Sequence, residues 1–183
     1  MDSYVLYQSK YIEEYLSEIL IDLNIANKLF RQQFPNLDST WGYDKYNIFA
    51  LTAPSNTFYK IYQEMRNLIR TQLGTTQPLW FQSWLNYHTS DQLLERHTHE
   101  FDYHGYISID PKNTITIFDD YTIENKIGQI YFGPGNKFHK VESLEQFDGV
   151  RITLGFDVHS LPINQLAEYT ERPMGNLSLM PLS

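Results

Sequence analysis

From Tyr11 to Phe30 apolar residues return at steps of three and four: Tyr11, Ile12, Tyr15, Leu16, Ile19, Leu20, Leu23, Ala26 and Phe30. This spacing gathers them on one side of an α-helix, so an amphipathic helix is predicted that ends at or before Pro35. A second helix is predicted over Phe58, Ile61, Tyr62, Met65, Leu68, Ile69 and Leu73, opened by Ser55 or Asn56 as N-cap and stopped at Gly74. The stretch between the two helices predicts one strand near Tyr46 to Leu51.

After Pro78 the period shortens. The runs "LWFQSWLNYH", "YHGYISID", "TITIFDD", "GQIYFGP" and "VRITLGFDVH" alternate or are rich in β-branched and aromatic residues, and "DPKN", "GPGN" and "DG" punctuate them. Turn signals at roughly 8–12 residue intervals predict an antiparallel sandwich or barrel. Each helix has a single apolar stripe to bury, so both are expected to lie on one outer face of the β body. The fold class expected is therefore α+β in a single domain, with a helical part over 1–77, the β core over 78–160 and an extended tail over 161–183.

Composition narrows the function. A chain of 183 residues with 42% hydrophobic and 15% aromatic positions has material for one core. The formal charge of -8 argues against phosphate-backbone binding, so no nucleic-acid partner is expected. With no cysteine, disulfides and thiolate metal sites are ruled out, leaving histidine and carboxylate as candidate ligands. The start "MDSYVLYQSKYIEEYL" is acidic where a secretory signal is basic, and no apolar stretch is long enough to span a bilayer. A soluble, cytoplasmic protein is expected.

The chemistry concentrates in "ERHTHEFDYHGY", which holds three of the six histidines. On a strand, His97 and His99 point to the same side while Thr98 points away. Two imidazoles on one side form a metal platform, and neutral imidazole suits Fe, Zn, Cu and Ni. The best third ligand is His139, which follows an apolar run and a Gly-Pro turn in "GQIYFGPGNKFH". His88 and His159 have no such support.

The order of motifs from Trp84 to Phe156, namely "WLN", "HTH", "HGYISI", "IFDD", "GQIYFGPGNKFH" and "RIT", resembles the double-stranded β-helix (jelly-roll) core of the iron and 2-oxoglutarate-dependent oxygenases. Within that superfamily it is most similar to bacterial and phage hydroxylases related to prolyl hydroxylases. The resemblance implies Fe(II) held by His97, His99 and His139, and Arg151 pairing with the distal carboxylate of 2-oxoglutarate. Planar guanidinium suits that task because it offers two parallel hydrogen bonds. Thr153, two residues on, faces the same side and has a hydroxyl to donate, while Asn86 and Tyr106 are expected near the cosubstrate. The implied activity is oxidative decarboxylation of 2-oxoglutarate coupled to hydroxylation of a small molecule or a peptide.

Most of the superfamily carries H-x-D/E before its distal histidine. Here His99 stands at the carboxylate position, and Asp102 reaches the ligand face only if the chain bends after His99. A three-histidine site is the expectation, with a more positive iron than the usual triad gives. The same residues also resemble the cupins, in which His104 adds a fourth ligand and 2-oxoglutarate plays no part. A non-catalytic jelly-roll binding or assembly protein is the third reading, and the joint presence of the histidines and Arg151 argues against it. Asp119 and Asp120 are read as a strand end rather than paired catalytic acids.

Overall fold

The computed structural model describes residues 4–92, 94–160 and 179–182. In chain order the elements are β1 (Val5–Gln8), α1 (Lys10–Glu14), α2 (Leu16–Gln33), α3 (Ile48–Leu51), α4 (Asn56–Leu73), β2 (Trp80–His88), β3 (Tyr103–Asp110), β4 (Thr114–Phe118), β5 (Thr122–Glu124), β6 (Gln129–Pro134), β7 (His139–Ser143), β8 (Arg151–His159) and β9 (Leu179–Pro181). Six strands form a major sheet in the order β1-β6-β3-β8-β2-β9, and β5-β4-β7 form a minor one. All pairings are antiparallel. This is the expected α+β jelly roll.

The first predicted helix is interrupted at Tyr15, whose backbone leaves helical geometry (φ -107, ψ 24), so α1 and α2 are separate pieces. The stripe nevertheless persists, with Ile12, Ile19, Leu23, Ala26 and Phe30 buried. The second helix opens as expected, Ser55 Oγ accepting from the Phe58 backbone N–H at 3.1 Å. It closes at Gly74, which adopts the left-handed φ of 59° that ends a helix cheaply only in glycine.

The strand expected near Tyr46 to Leu51 is instead the short helix α3. Asn47 explains the difference: its side chain accepts from the Phe49 backbone N–H at 3.0 Å and caps a helical turn. Of the expected tail, the described residues Leu179–Pro181 pair with Trp80–Gln82 as an edge strand, and Leu182 is fully buried. Residues 161–178 lie outside the described ones.

The helices cover one face of the major sheet. Phe58, Ile61, Met65 and Ile69 of α4, with the α2 stripe, share one hydrophobic cluster with Phe81, Leu85, Leu154, Phe156 and Val158. Each fully buried Ile, Leu or Phe contributes roughly 1.5–3 kcal/mol by leaving water. The opposite face of β2, β3 and β8 turns toward the minor sheet. There the residues are Trp84, Asn86 and His88 on β2, His104 and Tyr106 on β3, and Arg151, Thr153, Gly155 and Asp157 on β8, and all line one cavity.

Candidate metal centre

The cavity between the sheets measures about 990 Å³. One wall comes from the chain around His97, which forms a reciprocal backbone pair with His139: each N–H donates to the other's carbonyl at 2.9 Å. His99 is fixed two residues on, its N–H donating to the Gly135 carbonyl at 3.0 Å. Residues opposite each other in an antiparallel pair project to one side, so His97, His99 and His139 converge. Ligand nitrogens of the three lie within 4.8 Å of one another.

Their second nitrogens are all occupied. His97 Nδ1 lies 2.7 Å from the Glu95 carbonyl, His139 Nδ1 lies 3.1 Å from the Lys137 carbonyl, and His99 Nδ1 lies 3.2 Å and 2.9 Å from the two Asp157 oxygens. Carbonyl and carboxylate oxygens only accept, so each Nδ1 carries the proton and each Nε2 keeps a lone pair. Among the described residues His99 Nε2 is buried without a hydrogen-bond partner. Outer oxygens that set the tautomer of a ligand histidine are the usual surroundings of a metal. The donor set therefore fits a divalent ion such as Fe(II).

Burial keeps the rings of His97, His104 and His139 neutral. The His139 pKa falls to about 2, chiefly through desolvation and then through the neighbouring His104 and His97. His97 and His104 are lowered for the same leading reason. Protons therefore do not compete for the lone pairs of His97 and His139 at neutral pH.

At another part of the cavity lies Arg151, 2% exposed. Its Nε donates to Thr114 Oγ1 at 3.3 Å, but Nη1 is buried with no partner, and among the described residues no carboxylate pairs with it. Desolvation lowers its pKa to about 10. Among the described residues, two further buried polar atoms without a hydrogen-bond partner line the same cavity, Tyr106 Oη and His88 Nδ1. Asn86 Nδ2 donates to Thr153 Oγ1 at 3.1 Å and Asn86 Oδ1 accepts from Trp84 Nε1 at 3.1 Å, which leaves the Thr153 hydroxyl proton free to donate.

Of the expected site residues, the fold thus brings His97, His99 and His139 together and sets Arg151, Thr153, Asn86 and Tyr106 in the same cavity. Asp102 turns away: its carboxylate accepts from the backbone N–H and hydroxyl of Ser160 at 3.0 and 2.6 Å. Asp119 and Asp120 pair with Arg96 and Lys137. His88, His104 and Asp157 also line the cavity. His88 and Asp157 had a signal, since His88 is in phase with Asn86, and Asp157 with Arg151 and Thr153, under the two-residue period of a strand.

No family model matches the chain, and no curated protein matches it. Solved structures do. The fold is a jelly roll with a few added helices, and solved non-haem iron and 2-oxoglutarate-dependent enzymes are similar to it. It is similar to the non-haem α-ketoglutarate-dependent carbocyclase SnoK of nogalamycin biosynthesis, with a TM-score of 0.64, 10% identity, and coverage of 100% of this chain and 92% of that one. It is also similar to the non-haem monooxygenase ThoJ in a nickel complex (0.57, 10%, 87% and 74%) and to the epimerase SnoN in complex with Fe3+, α-ketoglutarate and nogalamycin RO (0.53, 12%, 87% and 79%). Among the described residues no helix is long and apolar enough to cross a membrane.

Proposed function

We propose that the protein is an Fe(II)- and 2-oxoglutarate-dependent dioxygenase that hydroxylates a small molecule or peptide. The observation that carries this reading is Arg151: a buried guanidinium with an unpartnered Nη1, in the same cavity as three converging histidines. A buried cation without a counter-charge is costly, and a bound dicarboxylate relieves that cost.

His97, His99 and His139 would hold the ion through Nε2. When bound, iron with 2-oxoglutarate supplies the oxidising power that activates an unreactive C–H bond. The protein's residues position and shield. Arg151 Nη1 would donate to the distal carboxylate, with the Thr153 and Tyr106 hydroxyls as further donors in the cavity. Asn86 holds Thr153 in place, and the stacked Trp84 ring excludes water beside His99 at a centroid distance of 5.9 Å. The cavity is several times larger than such a cosubstrate needs, which leaves room for a substrate.

Anaerobic titration of the apo-protein with Fe(II) and then 2-oxoglutarate tests the reading. Bidentate 2-oxoglutarate on Fe(II) gives a weak visible metal-to-ligand absorption band, expected in wild type and weakened in Arg151→Ala. A cupin-like metal enzyme without 2-oxoglutarate is the second reading, favoured by His104, whose ring lies 3.6 Å from that of His99 and 4.9 Å from that of His139. Iron binding with no band puts the cupin reading first. No iron binding removes both.

A further inference from the structure

The three-imidazole ligand set lacks the carboxylate of the usual triad, yet a buried carboxylate stands directly behind it. Asp157 is 3% exposed, and among the described residues no lysine or arginine pairs with it. Its partners are two imidazoles. Oδ1 lies 2.9 Å from His99 Nδ1 and 3.1 Å from His104 Nδ1, while Oδ2 lies 3.2 Å from His99 Nδ1. A buried carboxylate requires a positive partner, or a metal that its contacts lead to.

We propose that Asp157 is a positioning residue that returns to the metal, through His99, the negative charge missing from the ligand set. The proposal rests on the metal-centre half of the function above and is independent of the 2-oxoglutarate half. The carboxylate accepts the Nδ1 proton of His99, fixes the ring's tautomer and makes Nε2 a stronger donor. Seen from the ion, a neutral ligand backed by Asp157 replaces a direct carboxylate, with the charge displaced by one imidazole ring. His104 shares Oδ1 and stacks on His99 at an interplanar angle of 12°, so it both fixes the plane of His99 and draws on the same acceptor. His104 and Asp157 are cross-strand partners on β3 and β8, so the arrangement is built into the major sheet.

The chain places Asp157 for this use. On β8 it continues the cavity-facing row of Arg151, Thr153 and Gly155, whereas Ile152, Leu154, Phe156 and Val158 face the helices. A merely structural polar residue there would be better served by a neutral side chain, because a buried charge stabilises less than a well-packed neutral group of the same shape.

The test uses the apo-protein without 2-oxoglutarate: calorimetric titration with Fe(II) and with Co(II), then the Fe(III)/Fe(II) midpoint potential of the loaded protein. Asp157→Asn keeps the size and loses the charge, and it is expected to bind Fe(II) 10–100-fold more weakly with a higher midpoint potential. His104→Phe removes the competing donor while keeping a stacked ring, so its Fe(II) affinity is expected to be no weaker and its potential equal or lower. Wild-type affinity and potential in Asp157→Asn overturn the proposal. If Asp157→Asn fails to fold, a tenfold weaker affinity or a higher potential in His104→Phe overturns it. Retention of Fe(II) in His97→Ala and His139→Ala, with loss in both Asp157→Asn and His104→Phe, also overturns it, since the ion would then sit directly among His99, His104 and Asp157. A wild type that binds no metal refutes the proposed function instead.

Discussion

Replacing Arg151 with methionine separates the binding role of this residue from its cost to the fold. Burial brings the guanidinium pKa from 12.5 down to about 10, which corresponds to about 3 kcal/mol by which the folded state disfavours the charge. Methionine has a similar length and no charge. The bond from Arg151 Nε to Thr114 Oγ1 is lost, at about 1 kcal/mol. Thr114 itself stays satisfied, since its hydroxyl donates to the Pro111 carbonyl and accepts from Asn125 Nδ2. The balance leaves Arg151→Met more stable than wild type by about 1–2 kcal/mol when no ligand is present, a rise in Tm of roughly 2–8 °C for a chain of this size. With Fe(II) and 2-oxoglutarate at about a hundred times Kd, wild type gains about 2.7 kcal/mol from the cosubstrate, and the variant, which binds it more weakly, gains much less. Thermal melts of both proteins without any ligand, with Fe(II) alone, and with Fe(II) and 2-oxoglutarate read all six values. An apo variant that melts lower than wild type yet keeps the full 2-oxoglutarate shift would refute the reasoning on both counts.

Three further outcomes follow from the same contacts. In Gly155→Ala the new Cβ would lie 2.5 Å from Trp84 Cε2, so the indole must move, with a loss of about 1–3 kcal/mol in urea denaturation and changed tryptophan fluorescence; unchanged stability would show that Trp84 is not confined. Asn47→Ala removes both the cap on α3 and the donor to the Phe81 carbonyl at 3.2 Å, with an expected cost of about 1–3 kcal/mol in the same assay. Burial lowers His88 and His159 to about 4, so below the unfolded value of 6.5 the unfolded chain takes up protons that the folded chain refuses. The stabilisation is complete above that pH, and each histidine removes about 1.4 kcal/mol per pH unit as pH falls toward 4. A urea midpoint of the apo-protein that stays flat from pH 6.5 to 4.5, or that falls as steeply after replacement of both histidines by glutamine, would count against this.

The strands that alternate strongly could be read directly, and so could both long helices, because local period decides their type. The failures come where a distant partner or a single cap decides. "NIFAL" is too short to show a period, and Asn47 settles it in favour of a helical turn. Val5–Gln8 and Leu179–Pro181 are strands only because β6 and β2 offer edges to pair with. The histidine site was legible in part: the two-residue step from His97 to His99 survives although that segment belongs to no strand and is tied to the fold by a bridge to His139 and a bond to Gly135.

The partners of that site were harder to see for a definite reason. β8 reads R-I-T-L-G-F-D-V-H, and such alternation ordinarily means one face in the core and one in water. Here all nine residues are buried, because the minor sheet closes over the polar face. A polar row that would be unremarkable in solvent becomes a costly one inside a cavity, and each member then needs a purpose. Among the described residues Arg151 has no counter-charge, Thr153 is held by Asn86, Gly155 makes room for Trp84, and Asp157 backs a histidine. A strand that alternates cleanly yet has charged residues at both ends of its polar row therefore points to an enclosed site between two sheets, with its cation at one end and its carboxylate at the other.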